Sequence, residues 1–196
     1  MTHLKRPLHV PLRDRILASA RELFYREGIN TVSVDAIAAA AGTNKMSVYR
    51  NFPSKEDLVI AYLEAFAAET EAAWEVVRAE HPGDPEAQLR ALLRRAAQDG
   101  CRGCAFVNAA IELAGRKHPA LGFIEQQKNR QRERLIAICR EAGFAHPERL
   151  ADELFLLVEG ARVSKQSVGP GGPGSRLFAL AEALLDAAPR KVKRRG

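Results

Sequence analysis

No stretch of this sequence alternates apolar and polar residues as a half-buried strand must; its apolar residues recur every three or four positions instead. That period leaves helices as the regular elements the chain can build. Residue usage agrees, with 33 Ala and 21 Leu against 12 Val, 8 Ile and 4 Thr. Ala and Leu cost little in a helix, whereas β-branched side chains lose rotamer freedom there. At 196 residues the chain is long enough to form a core without disulfide or metal staples. No stretch longer than ten residues lacks Asp, Glu, Lys or Arg, which excludes a membrane-spanning helix. Lys5 and Arg6 are followed by no apolar run of the kind a secretory signal needs, and three cysteines in that context suit a reducing, cytoplasmic setting.

The net charge of +6 is unevenly spread. Residues 1–55 hold nine Lys/Arg against four Asp/Glu, the body 56–188 is slightly acidic, and the tail 189–196 adds five more cations. A basic end on an acidic body suggests a polyanion-binding part joined to a part with another task. Start and stop residues divide the chain into about nine helices. The first is expected over Arg13–Glu27 with a stripe of Ile16, Leu17, Ala20, Leu23 and Phe24, after a loose arm ending near Pro11. Ser33 caps a second, Val34–Ala41; Gly42 breaks it; Thr43 or Asn44 caps a third that ends near Asn51, before Pro53. Ser54 with Asp57 reads as a capping box for a long fourth helix, Lys55 to about Glu80. Further helices follow over 85–98, 104–115, from 119 to 143, from 147, and over 175–188 after a Gly/Pro loop at 169–174.

Two short helices joined by a glycine-containing turn have the spacing of a helix-turn-helix. The outer face of the third helix carries Asn44, Lys45, Ser47, Tyr49, Arg50 and Asn51, while Val48 and Phe52 can face inward. Amides, hydroxyls and cations on one short helix suit base edges and phosphates. Residues 33–58, SVDAIAAAAGTNKMSVYRNFPSKEDL, resemble the signature of the TetR family of transcriptional regulators. The resemblance rests on Ile37-Ala38, Ala41-Gly42, Tyr49-Arg50 and Phe52-Pro53-Ser54-Lys55-Glu56. It implies an all-α homodimer that binds a palindromic duplex operator and answers to a small-molecule effector, most often as a repressor released by it. A DNA-binding domain is expected over 1–57, a helical ligand-binding and dimerisation domain over 58–188, and a basic tail over 189–196.

Carried over by position, Ser33, Tyr49 and Lys55 would meet phosphates, and Lys45, Met46 and Ser47 would face the groove. Arg50, Asn44 and Asn51 complete the expected DNA-binding set. Met46 stands where the family often has Gly, and Asn51 where it often has Tyr or His, so operator sequence does not transfer. Expected effector-cavity walls are Phe66, Trp74, Phe106, Phe123 and Phe155, with Asn108, Glu112, Glu159, Arg162 and Gln166 as polar contacts. The expected dimer seam is Leu154, Leu157, Val158 and Ala161 on the eighth helix with Leu177, Leu180 and Leu184 on the ninth. Cys101-Arg102-Gly103-Cys104 invites a redox reading, though two small residues entering a helix is the plainer one. The string 169–174 matches G-x-G-x-x-G, but no strand precedes it and two prolines interrupt it, so it carries no dinucleotide site. Nothing in the sequence assembles a catalytic cluster, a metal site or a cofactor fingerprint.

Overall fold

The computed structural model describes residues 10–98 and 102–191. These form α1 (Leu12–Glu27), α2 (Val34–Ala40), α3 (Lys45–Asn51), α4 (Lys55–Glu80), α5 (Pro85–Gln98), α6 (Ala105–Leu113), α7 (Ala120–Glu141), α8 (Pro147–Val168) and α9 (Leu177–Ala187). The fold is all-α, and no β-strand forms among the described residues. The arm before residue 10, Cys101 of the C-x-x-C string and the tail beyond Lys191 lie outside the described residues.

Side-chain caps fix the starts of α2, α3 and α4. The Ser33 hydroxyl accepts from the Ala36 amide at 3.1 Å, and the Asn44 carbonyl oxygen from the Ser47 amide at 2.9 Å. Ser54 and Asp57 close a reciprocal capping box at the start of α4. Each cap is worth about 1 kcal/mol and sets where its short helix begins. The α2–α3 turn needs Gly42, whose φ of +62° is left-handed. Arg15 of α1 donates to the Ala41 carbonyl beside it, and a Cβ on Gly42 would meet that guanidinium at 2.8 Å.

Two cores hold the molecule. One packs Ile16, Phe24, Ile37, Val48, Phe52 and Leu58 together, and extends to Phe106 and Leu113 of α6 and Ile124 of α7. The second gathers Leu89, Leu93, Ile138, Leu150, Leu154 and Leu185 from α5, α7, α8 and α9. Each such fully buried side chain contributes about 1.5–3 kcal/mol. The first core runs on past residue 57 into α4, α6 and α7, so α1–α3 share their interior with the helices that follow. α4 belongs to both halves: Leu58 and Leu63 sit in the first core, and Trp74 packs against the second.

Two segments depart from expectation. Ser175, expected inside the ninth helix, belongs to a single 3-10 turn, Pro173–Arg176, that precedes α9. The start of the tail is clamped: the Ala145 amide donates to Pro189 O at 2.8 Å, the Lys191 amide to Gly143 O at 2.9 Å, and the Arg190 guanidinium lies 3.8 Å from the Phe144 ring centroid. The Gly/Pro loop, expected to be a connector, is packed tightly at one point. A Cβ on Gly174 would come within 2.5 Å of the Ala161 carbonyl oxygen of α8. Gly174→Ala therefore must push α8 and the loop apart, at a cost of roughly 1–3 kcal/mol. Thermal denaturation should show a Tm lowered by about 2–4 °C per kcal/mol; an unchanged Tm would contradict this packing.

Candidate nucleic-acid interface and effector cavity

α3 keeps one residue, Val48, fully in the core, and Phe52 follows it there. Arg13 of α1 stacks 4.6 Å from the Phe52 ring centroid and helps hold that end. The rest of α3 is turned outward. Lys45, Met46, Tyr49 and Arg50 are exposed, Asn44 is exposed at the cap, and Ser47 is half-buried beside it. Met46 is 63% exposed, a large apolar side chain at the tip of a basic helix. In water that exposure has no local compensation; against a thymine methyl it would. Ser33 is exposed at the N-terminus of α2. Asn51 is tied down, its side-chain amide donating to Ser47 O at 2.8 Å.

Lys45 is not a free cation. Its ammonium sits 2.9 Å from Oδ2 of Asp35 in the first turn of α2, and that hydrogen bond raises the lysine's pKa. The carboxylate therefore holds the lysine charged and stations a negative group beside the outward face of α3. Asp35→Asn removes this competitor without changing shape. It should tighten duplex binding several-fold at low salt and steepen the salt dependence, read by fluorescence anisotropy; weaker binding would contradict the placement of Asp35 on this face.

Lys55, expected to reach phosphate, is the first residue of α4. It is half-buried, with its ammonium 6.0 Å from the Phe24 ring centroid. Burial lowers its pKa, and Glu112 of α6 is its principal opposing charge. Position at the start of a helix did not reveal that its flexible stem would fold inward.

A cavity of about 340 Å³ lies between α4, α5, α7 and α8. Phe66, Trp74 and Phe155 form its aromatic walls as expected, and Glu159 and Arg162 reach it. The other expected contacts do not. Phe106 is fully buried, edge-on between Phe66 at 5.0 Å and Phe123 at 6.4 Å, so Phe106 and Phe123 support the wall without forming it. Asn108 donates to Arg102 O at 2.7 Å and accepts from Gln166 at 3.0 Å, which closes the α6 entry with both residues. Glu112 faces the α1–α2 loop: its carboxylate accepts from the Asn30 backbone amide at 2.9 Å, and its backbone carbonyl from the Asn30 side chain at 2.8 Å. Sequence reading missed Glu69, Thr70, Arg95 and Gln131 among the cavity residues, since each sits on a polar stripe that looks like an ordinary solvated face.

The expected seam also needs sorting. Leu154, Ala161 and Leu177 are interior and Val158 turns to the cavity, so none of these four faces outward. Leu157 and Leu184 are half-buried and Leu180 is exposed. Leu156, not anticipated, is 69% exposed, with Val163 at 48% on the same side of α8. Cys104 is buried at the start of α6; Cys139 is buried too, and burial pushes its thiol pKa up to about 12, so Cys139 is not a poised thiolate. Among the described residues no group of His, Cys, Asp and Glu could hold a metal, and no helix is long and apolar enough to cross a membrane.

Residues 16–62 match the family model described as bacterial regulatory proteins, tetR family. An uncharacterized HTH-type transcriptional regulator of Mycobacterium tuberculosis is 41% identical over 51 residues, 26% of this chain and 25% of that protein. The HTH-type regulator AcrR of Shigella flexneri is 33% identical over 81 residues, 41% of this chain and 38% of that protein. The matched stretches thus span well under half the length of these curated relatives. Over nearly the whole chain the fold resembles SCO4454, a TetR-family transcriptional regulator from Streptomyces coelicolor, with a TM-score of 0.83 and 27% identity over 89% of this chain and 94% of that one. A transcriptional regulator from Saccharomonospora viridis solved in complex with choline shares the fold at a TM-score of 0.76 and 19% identity, covering 91% of this chain and 98% of that one. These relatives and neighbours are named as regulators of transcription.

Proposed function

We propose that this chain, whose residues 16–62 match the tetR family model and whose fold resembles a TetR-family regulator, is a regulator of that family: a cytoplasmic, homodimeric repressor, released from a palindromic operator by a small molecule. The observation that carries this reading is the span of α4. Its first turns pack under the helix-turn-helix, and its middle supplies Phe66 and Trp74 to the cavity. A helix of 26 residues is about 39 Å long, long enough to link the two events.

On this reading Lys45, Met46, Ser47, Tyr49 and Arg50 enter the major groove, and the Ser33 and Asn44 helix starts approach phosphate with their amides. The dimer forms through the outward stripe of α8 and α9, where Leu156, Val163 and Leu180 are exposed. Gly160 on the same side has open space where a Cβ would project, which lets two backbones come close. Two rigid copies then combine their half-site energies on one duplex.

The effector acts by population shift. Filling the cavity favours a tilt of α4 against α1, and α6, latched to the α1–α2 loop through Glu112 and Asn30, goes with it. The spacing of the two recognition helices then no longer fits one face of the duplex. Selection from a random-sequence duplex pool with the purified chain tests the DNA-binding half of this proposal. Inverted repeats should be enriched. Enrichment of unsymmetrical sites, or none, would overturn it.

A further inference from the structure

The cavity's charged residues have partners on the protein. Glu69 is paired with Arg21 of α1, and Arg95 lies 3.8 Å from Glu80. Glu159 is held between Lys128 at 3.0 Å and Arg162 at 3.2 Å. The Thr70 hydroxyl donates its one proton to Phe66 O, at 3.0 Å. An ionic ligand would have to displace one of these partners or bring an unpaired charge into a half-buried site, and either costs more than it returns. Apart from these paired charges and Thr70, what remains among the described lining residues is apolar surface, chiefly Phe66, Trp74, Leu135 and Phe155, and one neutral side-chain amide. That group is the side-chain amide of Gln131 on α7, which is half-buried and makes no hydrogen bond to a described residue.

From this arrangement we propose that the cavity takes an uncharged, mainly apolar molecule with one hydrogen-bonding group, which the Gln131 amide receives. The proposal rests on the reading of this cavity as the effector site. A volume of about 340 Å³ holds a molecule of on the order of ten non-hydrogen atoms, counting roughly 30 Å³ for each, as for liquid water. The charged cluster at the rim serves as scaffold and excludes ions of either sign. An amide both donates and accepts, so it suits a hydroxyl, carbonyl or carboxamide on the ligand.

Trp74 is the one tryptophan of the chain and stands in the wall, so its fluorescence reports occupancy directly. The probes are 4-phenylbutan-1-ol, its carboxylate counterpart 4-phenylbutyrate, its amine counterpart 4-phenylbutylamine, and the hydrocarbon butylbenzene, titrated into the full chain. The alcohol should bind at least tenfold more tightly than the carboxylate or the amine. In Gln131→Leu the alcohol should lose its advantage over butylbenzene while butylbenzene binds as well as before. Equal or tighter binding of either ion overturns the neutral-ligand proposal and leaves the cavity as a ligand site. An unchanged alcohol preference in Gln131→Leu overturns the role of Gln131. No saturable change with any probe overturns both the proposal and the cavity reading, while duplex binding, measured separately, still tests the regulator.

Discussion

Leu156→Asp should leave the chain folded but monomeric, with duplex affinity lowered by about 10²–10⁴-fold, the span over which joining two modules raises avidity. Leu156 is 69% exposed and packs into neither core, so a carboxylate there faces water in the monomer at little cost. In a two-fold dimer the same change appears twice across one seam, where each charge must be desolvated without a partner. Sedimentation equilibrium and circular dichroism separate the outcomes. A variant that stays dimeric and keeps its operator affinity would show that the α8–α9 stripe is not the seam. Leu154→Asp is the instructive contrast: Leu154 is fully buried, and that change should unfold the C-terminal half.

The second large effect is at α3. Tyr49→Ala should weaken binding to the selected duplex by on the order of 10²-fold, since each dimer loses two contacts worth about 1–1.5 kcal/mol. Its Tm should hardly move, because Tyr49 is exposed. Lys45→Ala should lower the log–log salt slope by about 2, close to one unit per copy. The two changes thus differ in kind: one removes a contact at any salt, the other removes released counterions. Affinity unchanged in both would show that this face does not meet DNA.

The helix-turn-helix was legible because its signals are local. Ser33, Asn44 and Ser54 are caps whose chemistry works within three residues, and Gly42 marks a turn that other residues fill only with strain. The α8–α9 region was legible only as apolar. Leu154 and Leu156 are two residues apart, and no periodicity says which face of an all-round apolar helix meets its own core and which meets solvent. Burial now separates them. The cavity was partly legible for a related reason. Large aromatics mark apolar space, but a solid core and a hollow one use the same residues, so Phe106 and Phe155 look alike in sequence. Glu112 looked like a ligand contact on α6, yet its partner, Asn30, lies 82 positions away, a separation that pattern reading does not cross. Gln131 sat unnoticed on a charged helix because its importance comes from what surrounds it.

The central claim is that two symmetric copies of α3 enter the major groove of one duplex. Methylation protection on the selected duplex reads that groove at guanine N7 and the minor groove at adenine N3. The expected pattern is two symmetric patches of guanine protection, centred about 10 base pairs apart or a multiple of that, with the intervening minor-groove adenines still reactive. A single unsymmetrical patch, or protection confined to the minor groove, would contradict it.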